Sequence, residues 1–170
     1  MPPIDSIDRR TDVAFLLFQY AETIEGVTKL QKLLFLIEQE TEFFEAYQED
    51  IAFEFAPYKM GPFSEYVYEE IEFLLSLNAI ESEPLDRAIS NDNNATLAEK
   101  RFSITPKGQK IASELEKQLE AKYRQELRTV VDTYNRMALT RLLEYVYREY
   151  PSFAAESEIL DELDVESGPV

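Results

Sequence analysis

Residues 28–40 read TKLQKLLFLIEQE, and no other run limits the fold so tightly. Leu30, Leu33, Leu34 and Ile37 follow the i, i+3, i+4, i+7 spacing of one helix face. Phe35 and Leu36 widen that stripe, so the helix is expected to be buried on more than one side, with the remaining elements packed around it. Thr28 is its expected N-cap. Upstream, residues 12–24 (DVAFLLFQYAETI) read as a buried first helix ending ahead of Gly26. Downstream, Ile51, Phe53 and Phe55 alternate within residues 43–58, which suits a short strand or an extended arm lying on the core.

The second half reads as helices around a hairpin. Ser64 stands at the N-cap position of EYVYEEIEFLLSL, whose apolar face is Val67, Ile71, Leu74 and Leu75 and whose opposite face carries Glu65, Glu69 and Glu72. After Asn78 a hairpin is expected: NAIES, an Asn- and Asp-rich tip over residues 84–99, then KRFSIT. In ITPKGQKIA, Thr105 caps a helix and Pro106 takes its first position, where a missing N–H costs nothing. Ile111, Leu115, Leu119, Tyr123, Leu127 and Val131 recur at steps of four. Each step turns by about 400°, so the stripe drifts, and one long straight helix touching several neighbours is expected instead of a coiled-coil seam. A last helix is expected over residues 136–150, stopped by Pro151, and residues 156–170 as an acidic, disordered tail. The expected fold class is therefore mainly α with a small β-hairpin (α+β). It comprises a winged-helix-like core followed by a long helix and a C-terminal helix, one domain over residues 1–155.

Composition removes most catalytic chemistry. The chain has no cysteine, which excludes disulfides, thiol catalysis and thiolate metal sites, and no histidine, which removes the usual general base near neutral pH. Glu65, Glu69 and Glu72 share a helix face that could hold Mg²⁺, but neither a second acidic motif nor a phosphate-binding glycine loop accompanies them. They read as a solvated face. A non-enzymatic chain with no catalytic residue, metal or cofactor is expected. No apolar run reaches membrane-spanning length and the first ten residues contain no apolar signal segment, so a cytoplasmic protein without a membrane partner is expected.

The net charge of −17 comes from 34 acidic and 17 basic residues, of which eight are lysine. Residues 38–100 and 149–170 are acidic, whereas residues 101–148 carry a positive excess. Low lysine and absent cysteine favour a chain kept soluble in a salty, halophile cytoplasm over one matched to a basic partner. The same distribution weighs against DNA. In a winged-helix regulator the helix before the wing usually enters the major groove, and here that helix contains four glutamates and no lysine or arginine. Phosphate contacts need cations. Lys100, Arg101, Lys107 and Lys110, around the wing and the next helix, are the candidate backbone contacts of this alternative DNA-binding reading.

The turn FAPYKMGPFS (residues 55–64) opens directly into a helix: Gly61 permits positive φ, and Pro62 restricts φ ahead of the Ser64 cap. Lys29, Leu30, Gln31, Lys32 and Leu33, followed by Tyr58, Lys59, Gly61 and Pro62, then by RFSITPKG, resemble the Panacea family. They are closest to its uncharacterised YwgA-like relatives, in which a K-L-Q-K-L run precedes an aromatic-basic-x-Gly-Pro turn. The resemblance spans roughly the first 110 residues, and MALTRLLEYVYREYP resembles a later helix of the YwgA-like members. It implies a compact, mainly helical domain that binds a protein partner, a toxin in the antitoxins that carry such domains. On this reading Lys29, Lys32, Tyr58, Lys59, Gly61 and Pro62 are the candidate partner-binding residues, with Tyr58 and Lys59 forming an exposed aromatic-cationic ridge.

Overall fold

The computed structural model describes residues 9–59, 61–85 and 100–154, and of residues 48–50 the backbone alone. The expected tail (156–170) and most of the expected hairpin tip (84–99) lie outside them. The order is α1 (Arg10–Ala21), β1 (Thr23–Glu25), α2 (Val27–Glu40), α3 (Glu42–Ile51), β2 (Ala56–Tyr58), β3 (Gly61–Phe63), α4 (Glu65–Ser76), β4 (Ile80–Pro84), β5 (Lys100–Ile104), α5 (Pro106–Lys117), α6 (Ala121–Asn135) and α7 (Leu139–Glu149). A 3₁₀ turn, Pro151–Phe153, follows. The fold is mainly helical with a small antiparallel component, as the apolar spacing implies.

Helix α2 is the axis. Every residue from Leu30 to Ile37 is buried, and the helix contacts β1, β3, α3, α6 and α7. At its N-terminus the cap position is held by Gly26, not by the expected Thr28, because the chain turns out of β1 there with φ of 92°. Strand β1 was not expected. Helix α1 stops at Ala21, and Glu22 adopts a left-handed φ of 63°, which releases Thr23–Glu25 to pair with β5. Three residues are too short to carry a period-two signal; the pairing partner far along the chain makes them a strand.

The three-stranded sheet runs in the order β1-β5-β4, with Ile24 opposite Phe102 and Ile80 opposite Ile104. With α3 and the β2–β3 hairpin set aside, α1, β1, α2, α4, β4 and β5 follow one another in the order of a winged helix. The β4–β5 hairpin and both helix caps agree with expectation. The Ser64 hydroxyl accepts from the Tyr66 N–H at 3.2 Å, and the Thr105 hydroxyl from Gly108 N–H at 3.1 Å. At Gly108 a Cβ would lie 2.1 Å from the Ala79 carbonyl oxygen, so α5 can approach α4's end only as glycine allows.

Two further expectations are corrected. Residues 42–51 form a helix, not an extended segment; the expected extended arm and short strand are confined to residues 52–55 and to β2. The N-terminus of α3 is capped twice: the Thr41 hydroxyl accepts from the Phe44 N–H at 3.1 Å, and the Glu126 carboxylate accepts from the Glu42 and Phe43 N–H groups at 2.8 and 2.9 Å. Glu126 belongs to α6, so half of that cap comes from tertiary structure. The long straight helix is in fact two, α5 and α6, broken at residues 118–120. Along one straight axis, apolar residues at steps of four rotate away from any single neighbour. The break re-aims them, so Leu115, Leu119, Leu127 and Val131 are all buried.

Candidate functional site

The β2–β3 hairpin folds back over α2 and is tied down at several points. Gln31, fully buried, pairs with Ser64 in the manner of a neighbouring strand: its Nε2 donates to the Ser64 carbonyl at 2.9 Å and its Oε1 accepts from the Ser64 N–H at 3.0 Å. The Ser64 hydroxyl donates in turn to the Phe53 carbonyl. Lys32, 2% exposed, donates from Nζ to the Pro62 carbonyl at 3.0 Å. Gly61 has φ of 90°, and a Cβ there would lie 2.6 Å from Tyr147 Cε1 on α7 and 3.4 Å from Lys32 Cε. The glycine is thus required both for its backbone conformation and for the room it leaves.

Between hairpin and helix lies a cleft of about 160 Å³, lined by Thr28, Gln31, Lys32, Tyr58, Lys59, Gly61, Phe63 and Tyr68. Its aromatic wall is continuous. The Tyr58 and Phe63 rings have centroids 4.9 Å apart, and Phe63 and Tyr68 5.6 Å apart. Tyr58 is 48% exposed at the rim, and Lys59 Nζ sits 5.9 Å from its ring centre. Burial pushes the Lys32 amine down to about 7, because a charge there has lost its water. Tyr68 is pushed up, first by burial and then by Tyr58.

Four of the six candidate residues therefore meet around this cleft: Lys32, Tyr58, Lys59 and Gly61. Pro62 is buried at its edge and contributes its carbonyl to Lys32. Lys29 points elsewhere. It is buried, and its Nζ donates to the carbonyls of Asn135 at 3.2 Å and Met137 at 2.7 Å, closing the C-terminus of α6. Sequence spacing alone places Lys29 and Lys32 one turn apart on the same helix and cannot assign them to different neighbours. Gln31 stands in the motif, but its role depends on Ser64. Tyr68 and Tyr147 have no local signal pointing to the turn.

The residues of the DNA alternative are arranged differently. Arg101 lies between Glu83 at 3.0 Å and Glu25 at 3.5 Å on the flanking strands. Lys100 is partly buried at the start of β5, and Lys107 and Lys110 are exposed on α5. The outer face of α4 exposes Glu65, Glu69, Glu72 and Phe73. Among the described residues no group of three acidic side chains gathers to hold a metal ion, and no helix is long and apolar enough to cross a membrane.

A second cluster ties α2 to the C-terminal helices. The Glu40 carboxylate accepts hydrogen bonds from the hydroxyls of Tyr134 at 2.5 Å, Tyr145 at 2.8 Å and Tyr150 at 2.7 Å. Burial and then the bond to Glu40 push Tyr134 and Tyr150 above their ordinary range. All three donors bring protons to one acceptor, so the cluster acts as a clamp. Set against family models, curated proteins and solved structures, the chain finds no match.

Proposed function

We propose that the chain is a non-enzymatic, cytoplasmic protein-binding module whose contact surface is the β2–β3 hairpin. One observation supports this above the others: Tyr58 stands 48% exposed on a hairpin whose backbone is pinned to α2 and α7 by Gln31, Lys32 and Gly61. Tyrosine is favoured among residues that dominate interface energy, and a pinned hairpin loses little freedom on binding. Lys59 beside it adds a cation to a surface that is elsewhere mostly acidic. The resemblance of the two motifs to the Panacea and YwgA-like families makes a toxin the natural kind of partner.

Tyr58→Ala and Lys59→Glu are each expected to weaken the affinity for a partner captured by the intact chain by about tenfold or more. Phe73→Ala, at the other large apolar side chain exposed among the described residues, should leave it unchanged. Calorimetric titration of the purified pair measures all three. An unchanged affinity in Tyr58→Ala, or an equal loss in Phe73→Ala, would remove the hairpin as the interface.

The winged-helix element order favours a second reading, DNA binding through Lys100, Arg101, Lys107 and Lys110. Against it stand the pairing of Arg101 with two glutamates and the acidic outer face of α4. Fluorescence anisotropy on duplex DNA over a salt series tests it. This reading requires a steep loss of affinity with salt and a slope shallower by about one after Lys107→Ala. No binding at about 50 mM salt by the folded protein eliminates it.

A further inference from the structure

The two buried lysines of α2 are satisfied unequally. Lys29 Nζ donates to two carbonyls, those of Asn135 and Met137. Lys32 Nζ, on a side chain 2% exposed, has one hydrogen bond among the described residues, to the Pro62 carbonyl at 3.0 Å, and no ion pair. An ammonium group brings three N–H donors and a full charge, and a single carbonyl leaves both largely unanswered. A neutral amine fits better. It places one N–H on Pro62 and keeps its lone pair unused. The titratable groups facing it are Tyr58 and Lys59 on the hairpin, Tyr68 on α4 and Tyr147 on α7 behind Gly61, and none is a carboxylate that would hold a charged form. Burial accordingly keeps the amine at about 7.

This amine is shut away from bulk water yet lines the cleft of about 160 Å³ beneath the hairpin. A neutral, desolvated lysine beside a cavity is an activated nucleophile toward carbonyl carbon. A space of this size accepts one benzene-sized group, and the Tyr58–Phe63–Tyr68 wall gives a flat ring a face to stack on.

We propose that Lys32 forms a reversible imine with an aldehyde carried on a single planar ring, the ring lying against Tyr58, Phe63 and Tyr68. The nitrogen lone pair attacks the carbonyl carbon while the π pair of C=O moves to oxygen, and one amine proton passes to that oxygen to give a carbinolamine. The nitrogen pair then closes C=N as the C–O bond breaks, and the oxygen leaves as water with the second amine proton. Amine and aldehyde give imine and water, so no oxidant or reductant enters. A ketone or an acyl donor is also an electrophile, but each adds a further group at the carbonyl carbon in a space that holds one ring. The adduct is stoichiometric and stands whether or not the hairpin binds a protein.

The test treats the full chain with benzaldehyde and sodium cyanoborohydride, which traps an imine as a benzylamine, and locates the benzyl group by peptide mass spectrometry. The exposed Lys107 and Lys110 of the same molecule serve as internal standards. At pH 7 an ordinary lysine is neutral in about one molecule in 2,500, whereas Lys32 is neutral in about half. Lys32 is therefore expected to be labelled at least about tenfold more than either standard at pH 7, and this ratio should fall at least about tenfold by pH 10, where the standards become neutral too. In Lys32→Met, folded by circular dichroism, no other site should take up the preferential label. Labelling of Lys32 no greater than that of the standards, or a ratio that does not fall with pH, would overturn the proposal. Acetaldehyde, which leaves the aromatic wall uncovered, should lose most of the preference; an equal preference would show that the ring is no part of the ligand. If phenyl acetate acylates Lys32 while benzaldehyde leaves no benzyl group there, the imine assignment is wrong.

Discussion

Lys32→Met is expected to raise the melting temperature at pH 7 by about 5 °C and to flatten its rise with pH above neutrality. Burial holds the Lys32 amine at about 7 against an ordinary 10.5. Between those values the unfolded chain binds a proton that the folded chain does not, so stability climbs as pH rises from about 7 toward 10. At about 1.4 kcal/mol per pKa unit the fall from 10.5 to about 7 is worth about 5 kcal/mol in full, of which about 4 kcal/mol applies at pH 7. Methionine keeps the length of the stem and removes the charge, but leaves the Pro62 carbonyl without its donor, a loss of about 1–2 kcal/mol. The net gain is about 2 kcal/mol, which sets the temperature shift for a domain of this size.

Glu38 shapes the acidic side of the same curve. Burial pushes its carboxyl up to about 7 from 4.5, while the Phe53 N–H bound at 2.8 Å and Arg10 oppose the shift. Its stabilising contribution is complete below about pH 4.5 and is lost as pH rises to 7. Tyr20, Tyr134 and Tyr150 are all raised, mainly by burial, and stability should fall again above about pH 10, where the same phenols ionise in the unfolded chain. The wild-type curve should therefore dip near neutrality. Lys32→Met removes the alkaline limb of the dip, and Glu38→Gln the acidic limb. Scanning calorimetry from pH 5 to 10 measures both; a wild-type curve flat across that range would show that neither group is shifted.

Gly61→Ala is expected to cost about 2–5 kcal/mol, the largest loss foreseen for adding a single methyl group in the cleft. Holding a non-glycine residue at φ of 90° costs about 1–2 kcal/mol. The new methyl would also sit 2.6 Å from Tyr147 Cε1, and forcing extra volume into a packed site costs about 1–3 kcal/mol. Tyr147 is fully buried, so it has little room to move aside. Urea denaturation should show a lower midpoint with an unchanged slope, the sign of lost native stability without a change in the unfolded state. In a Tyr147→Leu background the penalty from Gly61→Ala should shrink, because the ring edge is gone while the backbone term remains. An equal penalty in both backgrounds would mean that Tyr147 does not hold the hairpin.

Local chemistry, read from the sequence alone, determined much of this protein. The buried course of α2 follows from Leu30, Leu33, Leu34 and Ile37 with Phe35 and Leu36 between them. The starts of α4 and α5 follow from Ser64 and from Thr105-Pro106, and the β4–β5 hairpin from its two short apolar runs. These signals act within one or two turns of helix or along one strand, where spacing and caps decide the outcome. Tertiary structure decided the rest. Strand β1 exists because β5 pairs with it, α3 is capped in part by a glutamate on α6, and the drifting stripe of residues 111–131 is broken so that both halves stay buried. The same holds at the cleft. Lys29 and Lys32 are alike in sequence and one helical turn apart, yet one closes the end of α6 and the other lies under the hairpin, because different elements cover the two sides of α2. A helix's pattern says how much of it is buried; only the packed neighbours say against what.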